Sequence, residues 1–261
     1  MPDGAASLPR GSRVLYPGAM KPAKAFFQAE LIRRLQAWPA GVGAPRVLEL
    51  GCGRAEVTRG IIEAVPGLAY VGIEPDPASV AAAKGNLGAY PNAQVLPGLG
   101  YGTVPDAALE EPFDVVFSLS VLEHVKDLPR FLRYAAEKAR TGAEIIHLYD
   151  LGHALAPSSW KEWVQTRLCA SPLLRFMPEA KVARYLATED VRQLIEGVGC
   201  TVEAITFHNM PSHVSLAKAL GEPAALAEEI NAFERRWSKE ELPFKLKEQL
   251  FRTVGFWAKK K

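Results

Sequence analysis

Residues 46 to 61, RVLELGCGRAEVTRGI, constrain the fold more than any other stretch of this chain. Val47, Leu48 and Leu50 form a short apolar run, the mark of a strand buried on both faces. The run breaks at Gly51-Cys52-Gly53 and resumes with Val57, Ile61 and Val65 at helical spacing. Strand, tight glycine turn and helix follow one another. Glycine suits such a turn because it accepts positive φ and lets a ligand approach the backbone, while the helix start presents unpaired N–H groups. The unit is built for a nucleotide-like ligand.

The surrounding residues decide which ligand. A dinucleotide-binding turn needs a third glycine where this chain has Glu56, and a phosphate loop needs a Lys-Ser/Thr pair that does not follow here. Instead there is one acid inside the strand, Glu49, and a second, Glu74, at the end of the next apolar run, AYVGIEPD. Two carboxylates around a glycine turn repel a pyrophosphate and suit a ligand that carries an amine and a ribose.

These residues resemble the class I S-adenosylmethionine-dependent methyltransferases. ELGCGRAE is similar to that family's first motif, GIEPD to its second, and FDVVFSLSVLEHVKDLPRFL to its fourth with the helix after it. The resemblance implies an α/β fold: a Rossmann-like, seven-stranded, mostly parallel sheet with helices on both faces, here with helical insertions. It implies S-adenosyl-L-methionine as cofactor and S-adenosyl-L-homocysteine as product. By position, Glu49 would hold the amine end directly or through the loop, Gly51 and Gly53 would admit the cofactor, and Glu74 would accept from the ribose hydroxyls. Pro75, Leu99 and Ser118 complete the expected cofactor site. The chain departs from the family after its third strand, near 93 to 96, where an acid commonly takes the adenine amine; PGLGYG stands there instead. A backbone N–H of that loop with Leu99 against the ring, or Asp106 reaching back, is the expected substitute.

The acceptor side is read from two stretches. After the fourth strand (113 to 119), His124 has the best placement of any histidine to take a substrate proton, against the alternative that it fixes the loop. The fifth strand (143 to 149) ends in IIHLYDLGH, where alternation puts His147 and Tyr149 on one face and Asp150 at the ligand-binding edge. Tyr149 and His153 are therefore further catalytic candidates beside His124. In quinone O-methyltransferases a Glu-His pair helps hold a metal, but Glu123-His124 has no further ligand at suitable spacing, and no metal is expected.

The expected organisation is one domain of 261 residues, 48 % of them hydrophobic, sufficient for a single large core with elaborations. A leader and helix occupy 1 to 42, with Tyr16 placed to close over the pocket or to anchor the leader, and the cofactor-binding core spans 43 to 150. Residues 151 to 187, rich in tryptophan, arginine and proline, read as a lid or acceptor-binding insertion. The rest of the core, 188 to 261, is expected to have Thr188 capping a helix, strands at 201 to 207 and 251 to 258, and a helix at 224 to 237. The wide apolar face of that last helix could cover the core or join two copies in a homodimer.

Composition narrows the partners. A formal net charge of +2 without a basic stripe, and no motif for holding a flipped base, argue against nucleic acid. No apolar run approaches the roughly 20 residues of a membrane span, and the start of the chain lacks the apolar stretch of a signal peptide. Three cysteines without metal-ligand spacing fit a reducing cytoplasm. The expected partner is a small-molecule acceptor, methylated on oxygen by direct in-line transfer. An N-methyltransferase, a methyltransferase of sugar or glycan assembly, and a non-catalytic cofactor-binding protein remain as alternatives.

Overall fold

The computed structural model describes residues 22–39, 43–101, 104, 107–151, 160–169, 171, 174, 176, 182–211 and 224–261. Their centre is one seven-stranded sheet in the order β3-β2-β1-β4-β5-β7-β6. The strands are β1 (Arg46–Leu50), β2 (Ala69–Glu74), β3 (Ala93–Pro97), β4 (Phe113–Leu119), β5 (Ala139–Asp150), β6 (Cys200–His208) and β7 (Thr253–Lys260). The first five run parallel, and β7 enters antiparallel between β5 and β6. The helices are α1 (Pro22–Gln36), α2 (Glu56–Ala64), α3 (Pro77–Leu87), α4 (Leu128–Lys138), α5 (Trp160–Cys169), α6 (Thr188–Gly197), α7 (Ala224–Lys239) and α8 (Phe244–Leu250).

The continuous apolar runs follow from burial on both faces. Val47, Tyr70, Val115, Phe117 and Ile146 point to one side and pack with Phe27 and Leu31 of α1 and Ile61 of α2. Leu48, Val71, Val116, Ile145 and Tyr149 point to the other and pack with Phe131 and Leu132 of α4 and Ile195 of α6. Neighbouring strand residues thus serve different layers, each large side chain contributing roughly 1.5–3 kcal/mol by leaving water. Asp76 and Asp127 cap α3 and α4 as their sequences predict, accepting from the N–H groups of Ser79 at 2.8 Å and Arg130 at 3.1 Å.

Three local expectations are corrected. The fifth strand, expected over 143 to 149, already starts at Ala139 with a register shift against β4, because the preceding helix ends at Lys138, and Gly142, at φ 79°, lies inside it. Thr188 is the first residue of α6 rather than its cap; Ala187 holds that place, and the Thr188 N–H is taken by Glu248 Oε1 of α8 at 2.6 Å. The seventh strand begins at Thr253 because α8, unforeseen in the sequence, uses residues up to Leu250.

Candidate active site

The glycine turn sits on the carboxyl end of the sheet and is tied there by β2. Ile73 O accepts from the N–H groups of Gly51 (2.8 Å) and Cys52 (3.1 Å), and Glu74 Oε2 accepts from Gly53 N–H at 2.8 Å. Gly51 and Gly53 have φ of 79° and 54°, the left-handed region glycine enters without strain. Ala55, at φ 56°, continues this into the start of α2. A Cβ on Gly51 would lie 2.6 Å from Val121 Cγ2, whereas one on Gly53 would meet nothing within 4 Å. One glycine is backed by protein, and the other opens into free space.

That space adjoins a cavity of about 170 Å3 lined by Lys24 of α1, Glu49, the turn itself, Val57 and Thr58 of α2, and Leu119 at the end of β4. Glu49 is buried in its wall, its Oε2 accepting from Thr58 Oγ1 and, at 2.7 Å, from Tyr70 OH. Desolvation pushes its carboxyl up to about 7, against those two hydrogen bonds and the positive charge of Lys24. Glu74 Oε1 also accepts from Asp76 N–H at 3.0 Å. A carboxylate offers about four acceptor positions, so Glu74 has two left for hydroxyl donors. An open turn backbone, a buried acid and a strand-end carboxylate with spare acceptor capacity fit an amino acid joined to a ribose.

The second group of candidates lies beyond β4. Residues 122 to 124 form a short 3₁₀ turn in which Glu123 is buried and the His124 side chain is 45 % exposed. Segment 182–187 crosses this turn as a strap. Arg184 N–H donates to Glu123 O at 3.1 Å, His124 Nδ1 bonds Val182 O at 2.7 Å, and the strap is held from behind by Tyr185 OH on Glu248 Oε2 at 2.5 Å. A carbonyl only accepts, so the His124 proton is on Nδ1 and the ring lone pair on Nε2. Glu123 Oε1 accepts from Asp150 N–H at 3.1 Å and lies 4.0 Å from that Nε2, while Oε2 has no partner among the described residues.

Several expected residues stand elsewhere. Ser118 is buried on the α4 side of the sheet, its Oγ 2.8 Å from His147 Nδ1, because β4 alternation gives the cavity to Leu119 instead. Tyr149 is not at the rim: it is fully buried, stacked on Phe256, with its OH donating to Leu186 O of the strap at 3.3 Å. His147 is likewise buried, and desolvation lowers it to about 3, so it stays neutral. Leu99 is half-buried against the core, Gly98 N–H bonds Glu74 O at 3.0 Å, and Pro75 is exposed beside the turn. His153, Asp106 and Tyr16 lie outside the described residues. Among the described residues no cluster of metal-ligating side chains forms. Sequence reasoning missed Lys24, Thr58 and Leu119; only the helical pairing of α1 with α2 and the strand alternation could have pointed to them.

Glu123 gives the site a pH signature. Desolvation raises its carboxyl to about 8 from 4.5, against hydrogen bonds from its own and the Asp150 backbone. The folded chain thus keeps a proton that the unfolded chain has released, so stability is full below about 4.5 and falls as pH rises towards 8. Thermal unfolding of Glu123→Gln, which mimics the protonated acid, is expected to match wild type at pH 5 and to lie roughly 5 °C higher at pH 8. Parallel curves for the two proteins would show Glu123 ionised in the folded state.

Residues 48–145 match the family model described as a methyltransferase domain. The ubiquinone biosynthesis O-methyltransferase of Rhodopseudomonas palustris (strain BisB5) is 26 % identical over 160 residues, 60 % of this chain and 58 % of that protein. The protein of the same name from Azorhizobium caulinodans is 36 % identical over 93 residues, 35 % of each chain. This chain therefore spans somewhat over half of the first relative and about a third of the second. Among solved structures, a sarcosine dimethylglycine methyltransferase from Galdieria sulphuraria superposes with a TM-score of 0.56 at 13 % identity, covering 91 % of this chain and 86 % of that one, which is a likeness of fold. The matched residues run from β1 through the glycine turn into β5, so the part of the chain that carries the cavity is similar to a methyltransferase domain.

Proposed function

We propose that the protein methylates a hydroxyl group of a small-molecule acceptor, with His124 as general base. One observation carries this reading: the Nδ1 bond to Val182 fixes the ring and leaves its lone pair on Nε2, on a half-exposed side chain at the exit of β4. An amine acceptor needs little help in losing a proton, whereas a hydroxyl needs a base. The ubiquinone biosynthesis O-methyltransferases among the relatives support an oxygen acceptor.

The cofactor supplies a methyl group already activated on a sulfonium. The protein's own residues align and deprotonate. Glu74 accepts from the ribose hydroxyls, Gly53 leaves room for the ligand above the turn, and Glu49 provides negative charge for the amine end. His124 Nε2 takes the acceptor proton, with the Glu123 carboxyl 4.0 Å away. Alignment of this kind contributes ~7–11 kcal/mol, and a placed base about 10²–10⁴-fold in rate.

The test is a panel of phenolic, sugar and amine acceptors assayed with S-adenosylmethionine, followed by His124→Gln on whatever turns over. Phenolic turnover with kcat reduced about 10²–10⁴-fold in the variant and KM little changed is the expected result. Turnover of polar or amine acceptors alone, or an unaffected variant, would remove the proposal.

A further inference from the structure

His124 owes its tautomer to a carbonyl that is itself held from a distance. The backbone of the strap faces two ways. Val182 O and the Arg184 N–H, on either side of Ala183, face the 122–124 turn and meet His124 Nδ1 at 2.7 Å and Glu123 O at 3.1 Å. Ala183 N–H turns away to Cys169 Sγ of α5 at 3.3 Å. The half-exposed His124 side chain does not order this segment alone, because a single hydrogen bond nets little against the freedom of the residues it fixes. The strap needs a second anchor.

Glu248 is that anchor. Both oxygens of its buried carboxyl group hold the strap and its junction with α6: Oε2 accepts from Tyr185 OH at 2.5 Å and Oε1 from Thr188 N–H at 2.6 Å. Between these two points Leu186 O accepts from Tyr149 OH of β5 at 3.3 Å. α8 is seated in turn, since the neighbouring Lys247 donates from Nζ to Ser238 O of α7 at 2.6 Å, and Ser238 Oγ accepts from Phe207 N–H of β6 at 2.8 Å. A run of hydrogen bonds and backbone leads from the sheet through α7, α8 and the strap to the His124 ring. It decides which nitrogen carries the proton: the Nε2–H tautomer is the commoner one in a free neutral histidine, and an acceptor held at Nδ1 reverses that.

We propose that Glu248 is a positioning residue for His124: by holding the strap it keeps Val182 O at Nδ1 and so keeps the ring lone pair on Nε2. The assignment rests on the reading of His124 as the general base. It gives α8, outside the matched residues 48–145, a part in the proton transfer.

Long-range proton–nitrogen NMR correlation on the full chain with its imidazoles neutral reads the tautomer directly, the His124 signals being assigned by their loss in His124→Gln. Wild type is expected to show a protonated Nδ1 and an unprotonated Nε2. Two variants are each expected to move His124 towards the Nε2–H form: Tyr185→Phe, which removes one hydroxyl from an exposed ring and leaves the Thr188 bond, and Glu248→Gln, whose NH₂ cannot accept. The His147 signals should stay as in wild type, because the Nδ1 partner there is Ser118. On an acceptor that turns over, kcat is expected to fall about tenfold in both variants with KM little changed. A His124 signal that neither variant moves, or a His147 signal that moves with it, overturns the positioning role. A shifted tautomer with unchanged kcat supports that role and removes His124 as the base, and wild type already in the Nε2–H form overturns both.

Discussion

Glu74→Ala is expected to weaken S-adenosylhomocysteine binding by about 100-fold or more in calorimetric titration, as two charge-assisted hydrogen bonds of ~1.5–3 kcal/mol each would be lost. The structure raises the expectation above that of a simple contact. Glu74 also holds the glycine turn through Gly53 N–H at 2.8 Å and steadies the start of α3 through Asp76 N–H at 3.0 Å. Removing it would free the turn as well as take away the proposed ribose acceptor. Glu74→Gln separates the two effects, because its amide oxygen can still accept from the turn while its NH₂ cannot accept from a hydroxyl. A loss of roughly tenfold is expected for Gln. An alanine variant within threefold of wild type would exclude Glu74 from the ligand site.

The second large effect falls on stability. Gly51→Ala places a methyl group 2.6 Å from Val121 Cγ2 at a φ of 79°. The left-handed backbone costs about 1–2 kcal/mol for an L-residue, and the overlap with a β-branched side chain a similar amount. Together about 2–4 kcal/mol should appear as a fall of roughly 5–15 °C in Tm. Val121→Ala in the same chain should recover the contact part and leave the backbone part. Gly53→Ala provides the contrast: with nothing within 4 Å of its Cβ, it should lose only the backbone part while its methyl obstructs the ligand space. Equal Tm losses for the two glycine variants would show that Val121 yields freely.

These two residues were also the most legible in the sequence, since strand, turn and acid lie within a single βαβ unit whose local chemistry determines its shape. Asp76 and Asp127 were legible for the same reason: a cap is a matter of three neighbouring residues. Ser118 was misplaced because β4, apolar from Val115 to Phe117 and again at Leu119, shows no clear alternation, so nothing local says that Leu119 and not Ser118 faces the cavity. Tyr149 read as a rim residue because the strap that buries it, with Leu186 O as its acceptor, comes from a part of the sequence without periodicity. Lys24 was invisible for a third reason: its place in the cavity wall arises from how α1 is fastened, through Asn209 and Val57, to residues remote in sequence.

The place of β7 bears on the order in which the molecule can be made. This strand lies between β5 and β6 and pairs with both, although it follows them in sequence. As the chain leaves the ribosome, β1 to β5 can assemble the glycine turn and its cavity while β6, whose only partner in the sheet is β7, has nothing to pair with. Until residues 253–260 emerge, two unpaired strand edges stand open side by side. A nascent chain halted there would hold a nearly complete cofactor half and an edge ready to capture another polypeptide.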